Sequence, residues 1–406
     1  MRNVPKLRFK EFTDEWEEKK LNELSNKIGD GIHSTPNYSD NGEYFFINGN
    51  NIKDNKVFIN ETTKKIDEEE YNKYKLSLNN NTILISINGT IGNLGYYNYE
   101  KVILGKSCGY INLKDESNKY FLLNLLKTTK IQSYFFQELT GTTIKNLSLQ
   151  TLKNTIIKLP IFSEQQKIAD FLLNIDKKIS ITEEKLNLFN EYKKGIMQKI
   201  FNQELKFKDE NGNNYPEWEE KKLKDLTESI SNGISLNQNF DGIGYKVTRI
   251  ETISSGKINL EKVGYITTDK NIDEHKLNIG DLLFSNINSV EHIGKIAYID
   301  KNYDLYHGMN LLRIVFNKNL CSKYLYYILT ERKYKKLFEK LCNKAVSQAS
   351  INQTELGKIK VYISCLEEQK KIANFLSAID TKIEKISDEL ENLKEFKKGL
   401  LQQMFV

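Results

Sequence analysis

Two stretches of this chain carry apolar residues at alternating spacings of three and four. In the first, one row runs Ile168, Ile175, Thr182, Phe189, Ile196 and the other Leu172, Ile179, Leu186, Lys193, Ile200. In the second, the rows are Ile372, Ile379, Ile386, Leu393, Leu400 and Leu376, Ile383, Leu390, Lys397. Rows that stay in register over successive heptads predict long coiled-coil helices. Ser163 offers an N-cap for the first helix, with acidic Glu164 in its first turn. From Glu164 to Ile200 that helix is roughly 55 Å long. A helix with one apolar stripe needs a partner, and the second copy is the obvious one. Pairing is assigned to Ile168, Leu172, Ile175, Ile179, Leu186 and Phe189, and to Ile372, Leu376, Ile379, Ile383, Leu390 and Leu393. Lys193 and Lys397 occupy the same seam position, either as register-setting polar residues or as snorkelling edge lysines.

Elsewhere the pattern is mixed, from about Leu7 to Leu159 and again from about Phe207 to Ile363. Runs such as Thr82-Ile83-Leu84-Ile85-Ser86-Ile87 and Leu282-Leu283-Phe284-Ser285, bounded by Asn/Gly turns, predict short strands. Tyr120 to Glu138 and Ser322 to Leu341 predict helices. Each region is read as a compact α+β domain.

The two halves repeat one another. Trp16-Glu17-Glu18-Lys19-Lys20-Leu21 returns as Trp218-Glu219-Glu220-Lys221-Lys222-Leu223, an offset of 202, and Ile28-Gly29-Asp30-Gly31-Ile32 answers Ile230-Ser231-Asn232-Gly233-Ile234. Glu164-Gln165-Gln166-Lys167-Ile168-Ala169 returns as Glu368-Gln369-Lys370-Lys371-Ile372-Ala373, an offset of 204. A unit this long is a domain plus an extension rather than a solenoid repeat. The expected division is 1–159, a first head; 160–204, its helix; 205–363, a second head; 364–406, its helix. Outside the shared words the heads match poorly, which fits two heads reading different targets on one retained stalk. Trp16 and Trp218 are read as core or helix-packing anchors.

Composition narrows the class. The 406 residues are 39% hydrophobic and 11% aromatic, enough for real cores. Lys+Arg total 60 against 54 Asp+Glu, a net +6 that permits nucleic-acid binding without demonstrating it. Cys108, Cys321, Cys342 and Cys365 form no C-x-x-C pair, which fits a reduced cytosol. No signal segment or membrane-spanning run is found, so a cytoplasmic protein without membrane contact is expected.

The doubled Glu-Gln-x-Lys-Ile-Ala-x-Phe-Leu word, the Trp-x-x-x-x-Leu entry and the endings Lys193-Lys194-Gly195-Ile196-Met197-Gln198 and Lys397-Lys398-Gly399-Leu400-Leu401-Gln402 resemble Type I restriction-modification specificity subunits. Gly29-Asp30-Gly31-Ile32-His33-Ser34-Thr35-Pro36 is similar to a loop of their target-recognition domains. The resemblance covers essentially the whole chain. It implies two α/β target-recognition domains joined by two long antiparallel coiled-coil helices with pseudo-two-fold symmetry. Each domain would read half of a bipartite double-stranded DNA sequence. Two modification subunits, carrying S-adenosylmethionine, would dock around the helices, and two motor-nuclease subunits could join. No cofactor is expected in this chain. The alternative is a coiled-coil scaffold with two protein-binding heads.

Base readout needs Asn, Gln, Ser, Thr, Arg or Lys at base edges, with basic residues on phosphates. Loops rich in these types hold the candidates. In the first head they are Asp30, His33, Ser34, Thr35, Asn37 and Tyr38, then Ser86, Asn88 and Thr90, then Thr142, Thr143 and Lys145. In the second they are Asn232, Ser235, Asn237 and Gln238, then Ser285, Asn286 and Asn288, then His307 and Asn310, then Lys344, Ser347 and Gln348. Ordinary turns use the same residue types.

Enzyme motifs are missing. Gly29-x-Gly31 and Gly242-x-Gly244 lack the strand–glycine–helix context of a dinucleotide site, and no Gly-Lys-Ser/Thr loop occurs. No Asn-Pro-Pro-aromatic word for adenine methylation is present. His33, His275, His292 and His307 are not at metal-ligand spacing. A non-catalytic chain without a metal site is therefore expected.

Overall fold

The computed structural model describes residues 4–141, 145–288, 293–341, 343–345 and 348–406. The chain divides into two compact units, Met1–Glu184 with Ser387–Val406 and Lys185–Ile386. The division cuts through both long helices, Phe162–Phe201 and Leu366–Gln403. Each unit therefore holds one head, the first part of the helix that follows it, and the last part of the other helix.

In the first unit, Ile168, Leu172 and Ile175 lie in one core with Leu400, Met404 and Phe405. Further along, Glu183 meets Lys394 at 2.6 Å, so the helices run antiparallel. In the second unit, Ile372, Leu376 and Ile379 share a core with Met197, Ile200 and Phe201. Lys193 there meets Asp380 at 2.5 Å, again antiparallel. The remaining pairing candidates, Ile179, Leu186, Phe189, Ile383, Leu390 and Leu393, are half-buried.

The seam does more than join helices. Ile168, Leu172 and Ile175 also belong to the core of the first head, with Phe121 and Leu122, and Ile372, Leu376 and Ile379 to that of the second, with Tyr324 and Tyr327. The first turns of each helix are thus welded to the head before them. Burying such side chains is worth about 1.5–3 kcal/mol each.

The first head is built on a four-stranded antiparallel sheet in the order Ser25–Asp30, Cys108–Leu113, Thr82–Ser86, Leu94–Tyr96. The second repeats it with Thr227–Asn232, Leu312–Phe316, Leu282–Phe284, Ile296–Tyr298. The single helices expected at Tyr120 to Glu138 and Ser322 to Leu341 are each broken in two, as Lys119–Leu126 with Thr129–Gln137 and Ser322–Leu329 with Arg332–Leu341. Threonines stand at the breaks. Thr128 Oγ1 donates to the Leu125 carbonyl at 2.7 Å and Thr330 Oγ1 to that of Tyr326 at 2.9 Å. Such side-chain bonds to the backbone compete with helix propagation.

The repeated words have structural jobs. Glu17–Lys20 pairs antiparallel with Ile156–Leu159, and Glu219–Lys222 with Lys360–Ile363, closing each head at its base. Trp16 is buried against Phe121 and Phe405, with ring centroids 5.7 and 6.4 Å away. Trp218 packs on Phe201 and Tyr324, so each tryptophan anchors a helix end in its own unit. Gln165 Oε1 accepts from the Asn118 backbone N–H at 3.1 Å, and Gln369 Oε1 from that of Cys321 at 3.0 Å. Their amide nitrogens donate back to the carbonyls of Pro160 and Ser364.

The first long helix starts at Phe162, so Ser163 lies within its first turn rather than capping it. The Glu164 carboxylate is taken by Arg8, whose Nε and Nη2 donate to its two oxygens at 2.7 Å each.

Candidate nucleic-acid interface

Strand register brings the candidate loops of each head to one end of its sheet. In the first head, Asp30 stands opposite Gly109, Ser86 opposite Cys108 and Ile85 opposite Leu94. The loops after Asp30, before Cys108 and after Ser86 therefore leave from the same edge. Thr140 and Asn146 join them, since Asn146 bridges to both Asn88 and Thr140. In the second head, Phe284 stands opposite both Leu312 and Ile296, and Asn232 opposite Leu312. The loops after Asn232, before Leu312 and after Phe284 share that end. There Gln348–Ser350 pairs with Ile287–Asn288 and with Asn343–Ala345.

The glycine shared by the two loop words is required by close backbone approach. A Cβ on Gly31 would lie 2.0 Å from the Leu104 carbonyl oxygen, and one on Gly233 2.1 Å from that of Gly308. The following isoleucines, Ile32 and Ile234, bridge in parallel to Gly105 and Gly308.

Of the first head's candidates, His33, Ser34, Thr35, Asn37, Tyr38, Thr90 and Lys145 are exposed, and Asp30 and Asn88 half-buried. His33 Nε2 lies 2.9 Å from Asp30 Oδ2. Asn37 is fixed through its backbone N–H, which donates to Glu70 Oε1 at 3.0 Å. In the second head, Asn232, Ser235, Asn237 and Asn310 are exposed and Gln238 half-buried. The backbone alone is described for Asn288, Lys344 and Gln348, and Thr142, Thr143 and Ser347 lie outside the described residues.

Four candidates need correction as direct base contacts. Ser86, Ser285, Asn286 and His307 are buried, the first three because they end or follow central strands of the sheet and His307 because it sits between the bridged Tyr306 and Gly308. Ser86 Oγ donates to the Asn88 carbonyl at 3.1 Å and lies 3.1 Å from Thr90 Oγ1, bracing the loop from below. His307 Nε2 lies 2.9 Å from the Leu311 carbonyl oxygen. Burial, then the nearby Arg313 and His275, push its pKa down to about 4.

A family model, the Type I restriction modification DNA specificity domain, matches residues 13–190 and again 215–395. The chain belongs to this family. Its two matches fall on the two repeats.

Relatives within the family lie in Methanocaldococcus jannaschii. A protein designated a type I restriction enzyme MjaX specificity subunit is 45% identical over 214 residues, 52% of this chain and 50% of that protein. That alignment spans about half the relative's length. The type I restriction enzyme MjaVIII specificity subunit is 28% identical over 80% of this chain and 79% of its own length. The fold resembles the S subunit of a Type I system from M. genitalium, with TM-score 0.62 and 16% identity over 99% of each chain.

Beside these candidates the structure places further polar, aromatic and basic residues that the sequence reading passed over. Asn48 and Ser107 sit beside the first head's loops, with Ser107 Oγ donating to Asn48 Oδ1 at 3.0 Å. Lys106 is exposed next to them. In the second head a cleft of about 330 Å³ joins Asn237, Gln238 and Asn310 to Phe240, Arg249, Glu251 and Met309. Phe240 could have been found, because it lies at the repeat offset of 202 from Tyr38. Both rings are exposed, and each carries a cation, Lys64 Nζ at 5.6 Å from the Tyr38 centroid and Arg249 Cζ at 4.6 Å from that of Phe240.

Among the described residues no group of three His, Cys, Asp or Glu side chains is arranged to hold a metal ion. No helix among them is long and apolar enough to cross a membrane.

Proposed function

We propose that this chain is the DNA-reading subunit of a Type I restriction-modification complex, with each head recognising one half of a bipartite double-stranded sequence. The observation that carries the reading is the convergence, in each head separately, of polar loops at the same end of the same sheet. Those loops differ in sequence between the heads, while the words that build the sheet and helix are retained. Divergence at the reading end with constancy in the support is what two different half-sites require.

In this reading the chain has no active site. Methyl transfer from S-adenosylmethionine to adenine belongs to two modification subunits docked around the long helices, and two motor-nuclease subunits complete the assembly. The helices set the gap between half-sites. At 40 residues the first is about 60 Å long, more than one turn of DNA at about 34–36 Å. The complex works in the cytoplasm, where its DNA is. The family relationship disfavours a scaffold with two protein-binding heads.

The test is a head exchange. Residues 1–159 are replaced by the corresponding head of a relative, and the methylated motif is mapped in a host carrying the modification subunit. One half-site changes while the other half-site and the gap stay constant. An unchanged motif refutes the reading.

A further inference from the structure

We infer that Arg249 is a base-reading residue of the second head and that the half-site read by that head contains a guanine contacted by its guanidinium. The inference rests on the DNA-reading function proposed above and names the base that one residue recognises.

Arginine is scarce in this chain. Of the 60 basic residues only Arg2, Arg8, Arg249, Arg313 and Arg332 are arginine. Wherever charge alone suffices, lysine is used, so the arginines mark places where a planar fork of donors matters. Two are accounted for inside the heads. Arg8 holds Glu164 through two parallel bonds of 2.7 Å. Arg313 Nη2 lies 2.7 Å from Asp281 Oδ2 while its Nη1 donates to the Glu274 carbonyl at 3.0 Å. Arg332 opens a surface helix, and Arg2 lies outside the described residues.

Arg249 has the same fork but no buried partner. Its guanidinium carbon lies over the Phe240 ring, 4.6 Å from the centroid. Its links to Glu251 are long, 3.3 Å from Nε and 3.4 Å from Nη2. The side chain remains 32% exposed, so donors are left to solvent. Its backbone is fixed, with the N–H donating to Thr252 Oγ1 at 2.9 Å. The Phe240 ring under its guanidinium and the Glu251 carboxylate beside it hold the fork without consuming it, which lowers the entropy lost on contact. Arg249 lines the same cleft as Asn237, Gln238 and Asn310, residue types that read base edges.

Guanine is the base whose major-groove edge presents two acceptors, O6 and N7, at the spacing of an arginine fork. The matching position in the first head supports the assignment by contrast. There Tyr38 carries Lys64, a point charge that can neutralise a phosphate but cannot form a fork.

The experiment uses the full chain assembled with its modification subunits and a DNA library randomised across the target. Methylation is sequenced for the wild type, Arg249→Ala, Arg249→Lys, Arg249→Gln and Phe240→Ala. The wild-type motif contains guanine in the second head's half-site. Arg249→Ala and Arg249→Lys lose about 10- to 100-fold of the discrimination at that position and leave the first half-site unchanged. Arg249→Gln moves the preference toward adenine, and Phe240→Ala relaxes the same position. A motif without guanine in that half-site overturns the inference. So does a uniform loss of affinity with a salt dependence reduced by about one ion, the signature of a phosphate contact. A second-head exchange run in parallel separates the cases. If it moves the half-site while Arg249→Ala does not, only this inference fails; if it moves nothing, the DNA-reading function fails.

Discussion

The Nζ of Lys397 lies 2.5 Å from Oδ1 of Asp176 on the other long helix. The second unit repeats the pair with the helices exchanged, Lys193 to Asp380 at 2.5 Å. In that unit Tyr327 also donates its hydroxyl to Asp380 at 2.7 Å. A lysine in an apolar seam gains only in the register that brings it to its aspartate, so both lysines read as register devices rather than snorkelling edges.

Reversing one charge measures that device. Asp176→Lys places two cations together in a partly buried seam and lowers the first unit's stability by about 1–3 kcal/mol. Adding Lys397→Asp restores more than half of the loss. Urea unfolding of the single and double variants gives the coupling energy directly. Additive losses would show that the pair does not set register.

The repeated glutamates should differ in worth. Glu164 is fully buried against the charged Arg8, so Glu164→Ala strands a guanidinium and costs about 3–5 kcal/mol. Glu368 accepts from the neutral Trp218 indole at 2.9 Å, and Glu368→Ala costs about 1–2 kcal/mol. Each unit holds one tryptophan, so fluorescence of Trp16 in a Trp218→Phe background and of Trp218 in a Trp16→Phe background reports the two units separately.

His307 makes the second unit acid-sensitive. Its folded pKa of about 4 lies below the ordinary histidine value of about 6.5. The unfolded chain therefore takes up a proton first as pH falls. The stability this residue contributes is present above about pH 6.5 and lost progressively toward pH 4, on the order of 3 kcal/mol at most. His307→Gln keeps a donor for the Leu311 carbonyl and flattens that slope. Equal slopes for both proteins between pH 6.5 and 4 would remove His307 as the cause.

Gly31→Ala and Gly233→Ala drive a methyl into backbone oxygens about 2 Å away. Each displaces the recognition loops of its own head at a cost of about 1–3 kcal/mol. The measured effect is loss of one half-site's selectivity with the other intact. Equal damage to both half-sites from either variant would contradict the separate reading ends.

The sequence by itself determined the tandem repeat, the two long helices and the central strands. These follow from local periodicity and from words copied at one offset, which one chain displays without knowledge of the fold. It also located the loops, because Asn, Gly and Ser mark turns wherever they fall. Tertiary structure alone decided which polar residues in those loops face outward. Ser86, Ser285, Asn286 and His307 match their exposed neighbours in type, but strand ends bury the first three and flanking backbone bridges bury His307. Tertiary structure alone also brought Arg8 onto Glu164, 156 residues away, and folded Arg249 back onto Phe240, because no periodicity records either contact. The seam residues show both sides. Their spacing announced a helix face, but only the assembled units showed that the first turns of that face belong to the heads as much as to the partner helix.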